Sequence, residues 1–137
     1  MKISPQEISV RLENFRKTSR DKRLPLTPQK SAIFQAIATS CEHPGVTEIY
    51  KQLKSEFPSI SLATVYKNLK KFENLGLLVE IPVPGKAPRY DAKLEIHSHA
   101  VDTASGCVYD VETPKNLSLP KEILGKKVKH ANLIYYL

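Results

Sequence analysis

The sequence predicts an α+β fold in which helices come first and strands follow. Three observations predict it. Apolar residues recur at three- and four-residue spacing as far as Gly76, the stripe that a helix face presents to a core. Beyond it, residues 77–83 and 88–91 are β-prone runs on either side of a Pro84-Gly85 turn. Past Asp91, residues 97–101 and 107–111 form a second pair of extended runs, joined by the polar, glycine-containing stretch 102–106.

Residues 7–18 read as a helix, although Ile8, Val10, Leu12 and Phe15 are scattered rather than cleanly periodic, and the polar stretch 19–25 breaks it. Thr27 caps the next helix with Pro28 at its first position, and Ile33, Phe34 and Ile37 form its apolar stripe up to the neighbourhood of Ser40. Pro44 and Gly45 make residues 41–45 a loop. Val46, Ile49, Tyr50 and Leu53 then repeat at helical spacing until Phe57-Pro58 closes the element. Ser61 caps a further helix with Leu62, Val65, Leu69, Phe72 and Leu75 facing inward and Gly76 as its stop. Late in the chain, residues 119–124 read as a short helix stopped by Gly125, and residues 131–137 as a final apolar strand. This last part offers few apolar residues, so it is expected to complete its core against a second copy of itself.

Charge points to an acidic partner. Net charge is +7, and residues 1–80 carry 13 Lys and Arg against 8 Asp and Glu, whereas residues 81–137 carry 8 against 6. Arg11, Arg16, Lys17, Arg20, Lys22, Arg23 and Lys30 crowd one stretch, a density that phosphate contacts use through counterion release, although such a run is more often a solvated helix face. On the helix from Leu62, Thr64, Lys67, Asn68 and Lys71 project together, flanked by Tyr66 and Lys70. These side chains suit phosphates and base edges; Tyr66 suits the core equally well. Helices followed by a hairpin are the winged-helix order, in which the last helix enters the major groove. A protein-binding module of the same shape is the alternative. The expected organisation is a DNA-binding domain over residues 1–90, a hinge at about 88–94, and an α/β dimerisation domain over 95–137.

Metal chemistry is written around residue 97. His97 and His99 are two apart on a predicted strand and therefore share a face, with Asp91 before them and Asp110 after. Three of the four histidines, His43, His97, His99 and His130, could join the two aspartates around one divalent ion, because mixed imidazole and carboxylate ligation suits Fe, Mn or Zn. Taken singly, each has a plainer role: His43 before Pro44 can cap a turn, Asp91 can end a strand, and Asp110 can face solvent on a hairpin. Their weight comes from the set.

Other classes are disfavoured. No apolar run is long enough to span a membrane, and the first residues lack the layout of a secretory signal, so the expected location is the cytoplasm. Cys41 and Cys107, the only cysteines, cannot build a disulfide framework. A metalloenzyme using the histidine and carboxylate site is the rival reading. Against it stand the absence of a Gly-rich cofactor loop and of a nucleophile with a paired base, so no catalytic residue is assigned.

The motifs Thr27-Pro28-Gln29-Lys30, His43-Pro44, Ser61-Leu62-Ala63-Thr64-Val65-Tyr66-Lys67-Asn68-Leu69, Gly76-Leu77, Arg89-Tyr90-Asp91 and His97-Ser98-His99, in that order and spacing, resemble the ferric uptake regulator family. Similarity runs from about Leu12 to the end, and the motifs are specific jointly rather than singly. The resemblance implies a dimeric bacterial transcription factor that binds operator DNA, with a winged-helix domain, an α/β dimerisation domain, and metal at their junction favouring the DNA-binding shape. Within the family the chain is most similar to the peroxide-sensing branch. Carried over, the regulatory ligands are His43, Asp91, His97, His99 and Asp110, with aspartate rather than glutamate at the last position marking that branch. The residues expected at the DNA are those of that helix face, Thr64, Tyr66, Lys67, Asn68, Lys70 and Lys71, with Arg23 from the basic stretch.

In the implied mechanism, Fe(II) reacts with hydrogen peroxide and a ligand histidine, His43 or His97, is oxidised. The metal then leaves, and DNA is released. Mn(II) in the same ligands supports repression without that chemistry, and Zn(II) can fill them in purified protein. The alternative within the family is an iron- or manganese-responsive regulator without peroxide sensing. His130 is left outside this site, as a surface histidine or part of a second one.

One departure stands out. Where most members begin a pair of Cys-x-x-Cys motifs for a structural zinc, this chain has Asp102 and Ser105, and the second pair would fall beyond Tyr136. The expectation is that structural zinc is absent and that packing and strand pairing hold the dimer instead.

Overall fold

A computed structural model describes residues 3–137. It separates into two compact units, one extending to Leu94 and the other spanning Glu95–Leu137.

The first unit contains α1 (Pro5–Asp21), α2 (Pro28–Ala38), α3 (Val46–Leu53) and α4 (Leu62–Asn74), then strands β1 (Val79–Ile81) and β2 (Arg89–Asp91). Three helices start in the same way, each at a hydroxyl side chain that accepts a backbone N–H of the first turn: Ser4 from Glu7, Thr27 from Lys30 and Ser61 from Thr64. Pro5 and Pro28 occupy first-turn positions whose missing N–H costs the helix nothing. At α3 no cap hydroxyl exists, and the Glu48 carboxylate instead reaches back to the Gly45 N–H at 3.1 Å. The predicted break at residues 19–25 is a correction: α1 continues to Asp21 and stops when Arg23 turns left-handed at φ 53°, with the Leu24 N–H returning to the Ser19 carbonyl.

The core of this unit is built on aromatic contacts. Phe15 of α1 stacks on Phe34 of α2 with ring centroids 4.2 Å apart, and both meet Phe72 of α4 edge-on at 5.4 and 5.8 Å. Ile33, Ile37, Ile49, Val65 and Leu69 fill the space around them, fully buried. Leu62, expected to face inward, is 47% exposed, because it lies in the first turn of α4 ahead of that packed stripe. Gly76, at φ 73°, ends α4 and lets the chain turn into β1, which pairs with β2 in antiparallel register, Glu80 opposite Tyr90 and Val79 opposite Asp91.

The second unit holds β3 (Ser98–Val101), β4 (Val108–Val111), β5 (Glu122–Ile123), β6 (Lys126–Lys127) and β7 (Leu133–Tyr136). β3 is central, antiparallel to β4 and parallel to β7. A parallel partner requires a long return, and residues 112–132 supply it. The short helix expected at residues 119–124 is not there. Leu124 and Gly125 both adopt positive φ, 53° and 74°, and a two-residue turn of that kind closes the β5–β6 hairpin where a helix would need negative φ. Among the described residues no helix is long and apolar enough to cross a membrane.

Candidate metal centre and nucleic-acid interface

The five expected ligands fall into two groups, one in each unit. In the first unit His43 lies in the loop before α3 at φ 52°, a left-handed conformation that costs a non-glycine residue energy and that packing must enforce. The enforcement is local: the Tyr90 N–H donates to the Pro44 carbonyl at 3.1 Å, and a side chain on Gly45 would press within 3.0 Å of the Pro88 carbonyl. Loop and β2 are thus in close contact, and His43 Nε2 sits 3.2 Å from Asp91 Oδ2 with both side chains buried. Asp91 Oδ1 faces away, accepting the Lys93 N–H at 2.8 Å.

In the second unit β3 and its approach carry the two imidazoles, and β4 brings Asp110 directly opposite His99. His97 Nδ1 lies 2.7 Å from the Glu95 carbonyl, which can only accept, so Nδ1 carries the proton and Nε2 presents a lone pair. His99 repeats the arrangement, with Nδ1 at 2.9 Å from Asn132 Oδ1. Both Nε2 atoms then face one carboxylate oxygen, Asp110 Oδ1, at 3.2 and 3.4 Å. Three electron-pair donors converging in a mostly buried place repel one another unless a cation stands among them. The donor chemistry therefore fits a divalent metal, and backbone and amide acceptors behind the imidazoles are the usual means of orienting such ligands. His130 is exposed, between β6 and β7.

Neither Glu95 nor Asn132 was recognisable from the sequence as a holder of these rings. Glu95 acts through its main chain, which leaves no side-chain signature, and Asn132 reaches His99 across 33 positions of sequence.

On α4, Lys67 and Lys71 are exposed and have no acidic partner within 4.0 Å among the described residues. Tyr66 is 51% exposed, so it is a surface residue rather than a core one. Thr64 stays near the helix start, its hydroxyl 2.9 Å from that of Ser61. Two other expected contact residues are engaged within the first unit. Asn68 is buried and donates its amide to the Thr64 carbonyl at 2.9 Å, because it lies three residues after Val65 and four before Phe72 on the inward side. Lys70 forms ion pairs with Glu80 of β1 and Glu73, which direct its charge toward the hairpin. Arg23 is exposed at the end of α1.

Residues 21–136 match the sequence pattern of the ferric uptake regulator family. The chain belongs to that family. It is 32% identical over 137 residues to the peroxide operon regulator of Bacillus subtilis, covering 98% of this chain and 92% of that protein. It is also 32% identical over 115 residues to the peroxide-responsive repressor PerR of Staphylococcus saprophyticus, covering 84% and 78%. Among solved structures, the Campylobacter jejuni peroxide stress regulator superposes with a TM-score of 0.63 at 31% identity, covering 92% of this chain and 93% of that one. The Pseudomonas aeruginosa ferric uptake regulator with manganese superposes at 0.71 with 28% identity, covering 89% and 95%. Like other ferric uptake regulators, the chain combines an N-terminal winged-helix DNA-binding domain with a C-terminal dimerisation domain, and it is a regulator rather than an enzyme. Members of the family bind DNA and metal ions and are dimeric.

Proposed function

We propose that the chain is a homodimeric, metal-dependent repressor of transcription that senses hydrogen peroxide. His43 and Asp91 of the first unit and His97, His99 and Asp110 of the second share one Fe(II) or Mn(II) ion. The observation that carries the reading is the convergence of two oriented imidazoles on Asp110 Oδ1. The relatives named for peroxide response support the choice of signal.

In this reading the ligands do two kinds of work. Asp91, one residue from Tyr90 in the β1–β2 hairpin, ties the ion to the DNA-binding domain, and the β3–β4 pair ties it to the dimerisation domain. The Nδ1 bonds keep His97 and His99 in the tautomer whose Nε2 can ligate. Fe(II), if held by these residues, would pass electrons to peroxide and recover them from the ring, so that the net change would be one peroxide oxygen bonded to a ring carbon of His43 or His97, the ring oxidised by two electrons, and the other oxygen released as water. The altered imidazole no longer donates its lone pair, the ion is lost, and DNA is released. Lys67, Lys71, Tyr66, Thr64 and Arg23 are the proposed DNA contacts, and the described residues include no membrane-spanning helix.

Fe(II)-loaded protein treated with dilute peroxide is expected to gain about 16 Da, one oxygen, on a peptide containing His43 or His97 and to release DNA. Mn(II)-loaded protein should do neither. DNA release absent along with the mass gain would leave a regulator that responds to metal concentration alone.

We also propose that no structural zinc occupies the turn after β3. Asp102 and Ser105 stand at the cysteine positions, and the Asp102 carboxylate accepts the N–H groups of Ala104 and Ser105 at 2.9 and 3.3 Å.

A further inference from the structure

Glu80 joins three elements of the first unit. Its Oε2 accepts the Lys70 ammonium of α4 in an ion pair and lies 3.4 Å from the Tyr90 hydroxyl of β2. The next residue along β2 is Asp91. Glu73 stands 3.9 Å from the same ammonium, which lies 5.7 Å from the centre of the Tyr66 ring on the exposed side of α4.

The backbone ladder already sets Glu80 opposite Tyr90, so the Tyr90 hydroxyl is not needed for strand register. The Tyr90 ring is fully buried, and phenylalanine would fill the same volume. What the hydroxyl adds is aim: it turns the Glu80 carboxylate toward Lys70.

We propose that Glu80 is a positioning residue that fixes α4 against the β1–β2 hairpin, so that the state of the ligand Asp91 reaches the DNA-reading helix through Tyr90, Glu80 and Lys70. The proposal rests on the metal-dependent repressor reading above. It makes Lys70 a structural cation, unlike Lys67 and Lys71, which are offered to phosphate.

The test uses the full chain and variants Tyr90→Phe, Glu80→Gln, Lys70→Gln and Lys67→Gln. Mn(II) affinity is measured without DNA, and DNA affinity with saturating Mn(II), with chelator, and across salt concentrations. Tyr90→Phe and Glu80→Gln should keep Mn(II) affinity and shrink the metal-dependent gain in DNA affinity by about fivefold or more. Lys70→Gln should shrink the gain too while leaving the salt slope unchanged, whereas Lys67→Gln lowers that slope by about 1. Equal weakening in both metal states would show a merely structural role, and a lowered slope for Lys70→Gln would show a phosphate contact; either overturns the proposal. A full gain retained by Tyr90→Phe and Glu80→Gln overturns it alone, while no gain in the unaltered chain overturns the repressor reading and this proposal with it.

Discussion

At the scale of single residues, the metal reading depends on which nitrogen of each imidazole is exposed to the ion. Asn132 and the Glu95 carbonyl decide that, by taking the Nδ1 protons of His99 and His97. Asn132→Ala is expected to weaken Mn(II) binding by about 10–100-fold without unfolding the protein, and titration calorimetry measures it. Unchanged affinity would remove Asn132 from the site. Asp110→Glu lengthens the carboxylate that both rings face, and peroxide reactivity should fall; undiminished oxidation by mass spectrometry would show that this residue does not set the response. Asp102 makes a different prediction. The N–H groups of Ser105 and Ala104 hold its carboxyl below the ordinary range, so its contribution is present above the unfolded value of about 4 and lost as pH falls through the lower folded one. The Tm advantage of the unaltered protein over Asp102→Ala should therefore be full at pH 7 and vanish in strong acid. An advantage independent of pH would mean that the carboxylate charge is not what holds the turn. The convergence of His97, His99 and Asp110 was legible because period-two spacing and ligand chemistry both show in side-chain identity, whereas the groups behind the imidazoles are a main-chain carbonyl and a distant amide.

At the scale of elements, the proposed role of α4 at DNA makes a prediction of its own. Lys67→Gln and Lys71→Gln should each lower the salt slope of DNA binding by about 1, measured by anisotropy over a salt series. Unchanged slopes would exclude α4 as the phosphate-contacting helix. Phe34→Ala removes the ring on which Phe15 stacks and Phe72 abuts and should cost about 3–5 kcal/mol in denaturant unfolding. Helices were readable where a hydroxyl and proline announce the start, as at Thr27-Pro28; the equivalent Ser4-Pro5 start of α1 was obscured by the scattered apolar residues behind it. The burial of Asn68 was not legible, because its amide is satisfied by the Thr64 carbonyl of its own helix and a side chain's identity does not show that. The β5–β6 hairpin escaped notice for a stronger reason. Its turn depends on Leu124 adopting positive φ, and nothing in a leucine advertises that.

At the scale of the molecule, the proposed ligands divide between the two units. The first holds His43 beside Asp91, both buried, and the second holds His97 and His99 facing Asp110. In the proposed reading, an ion that needs both groups would favour the arrangement that satisfies them together, and its loss would release that arrangement. The second unit leaves apolar side chains exposed, among them Tyr109, Ile123, Tyr135 and Tyr136. The central claim is that metal at these five residues controls DNA binding. Genomic fragments retained by the purified chain, sequenced with and without Mn(II), test it most directly, with His99→Ala alongside. The account predicts a discrete set of fragments enriched only with Mn(II) and lost in His99→Ala; the same fragments retained equally in chelator, or retained by His99→Ala, would contradict it.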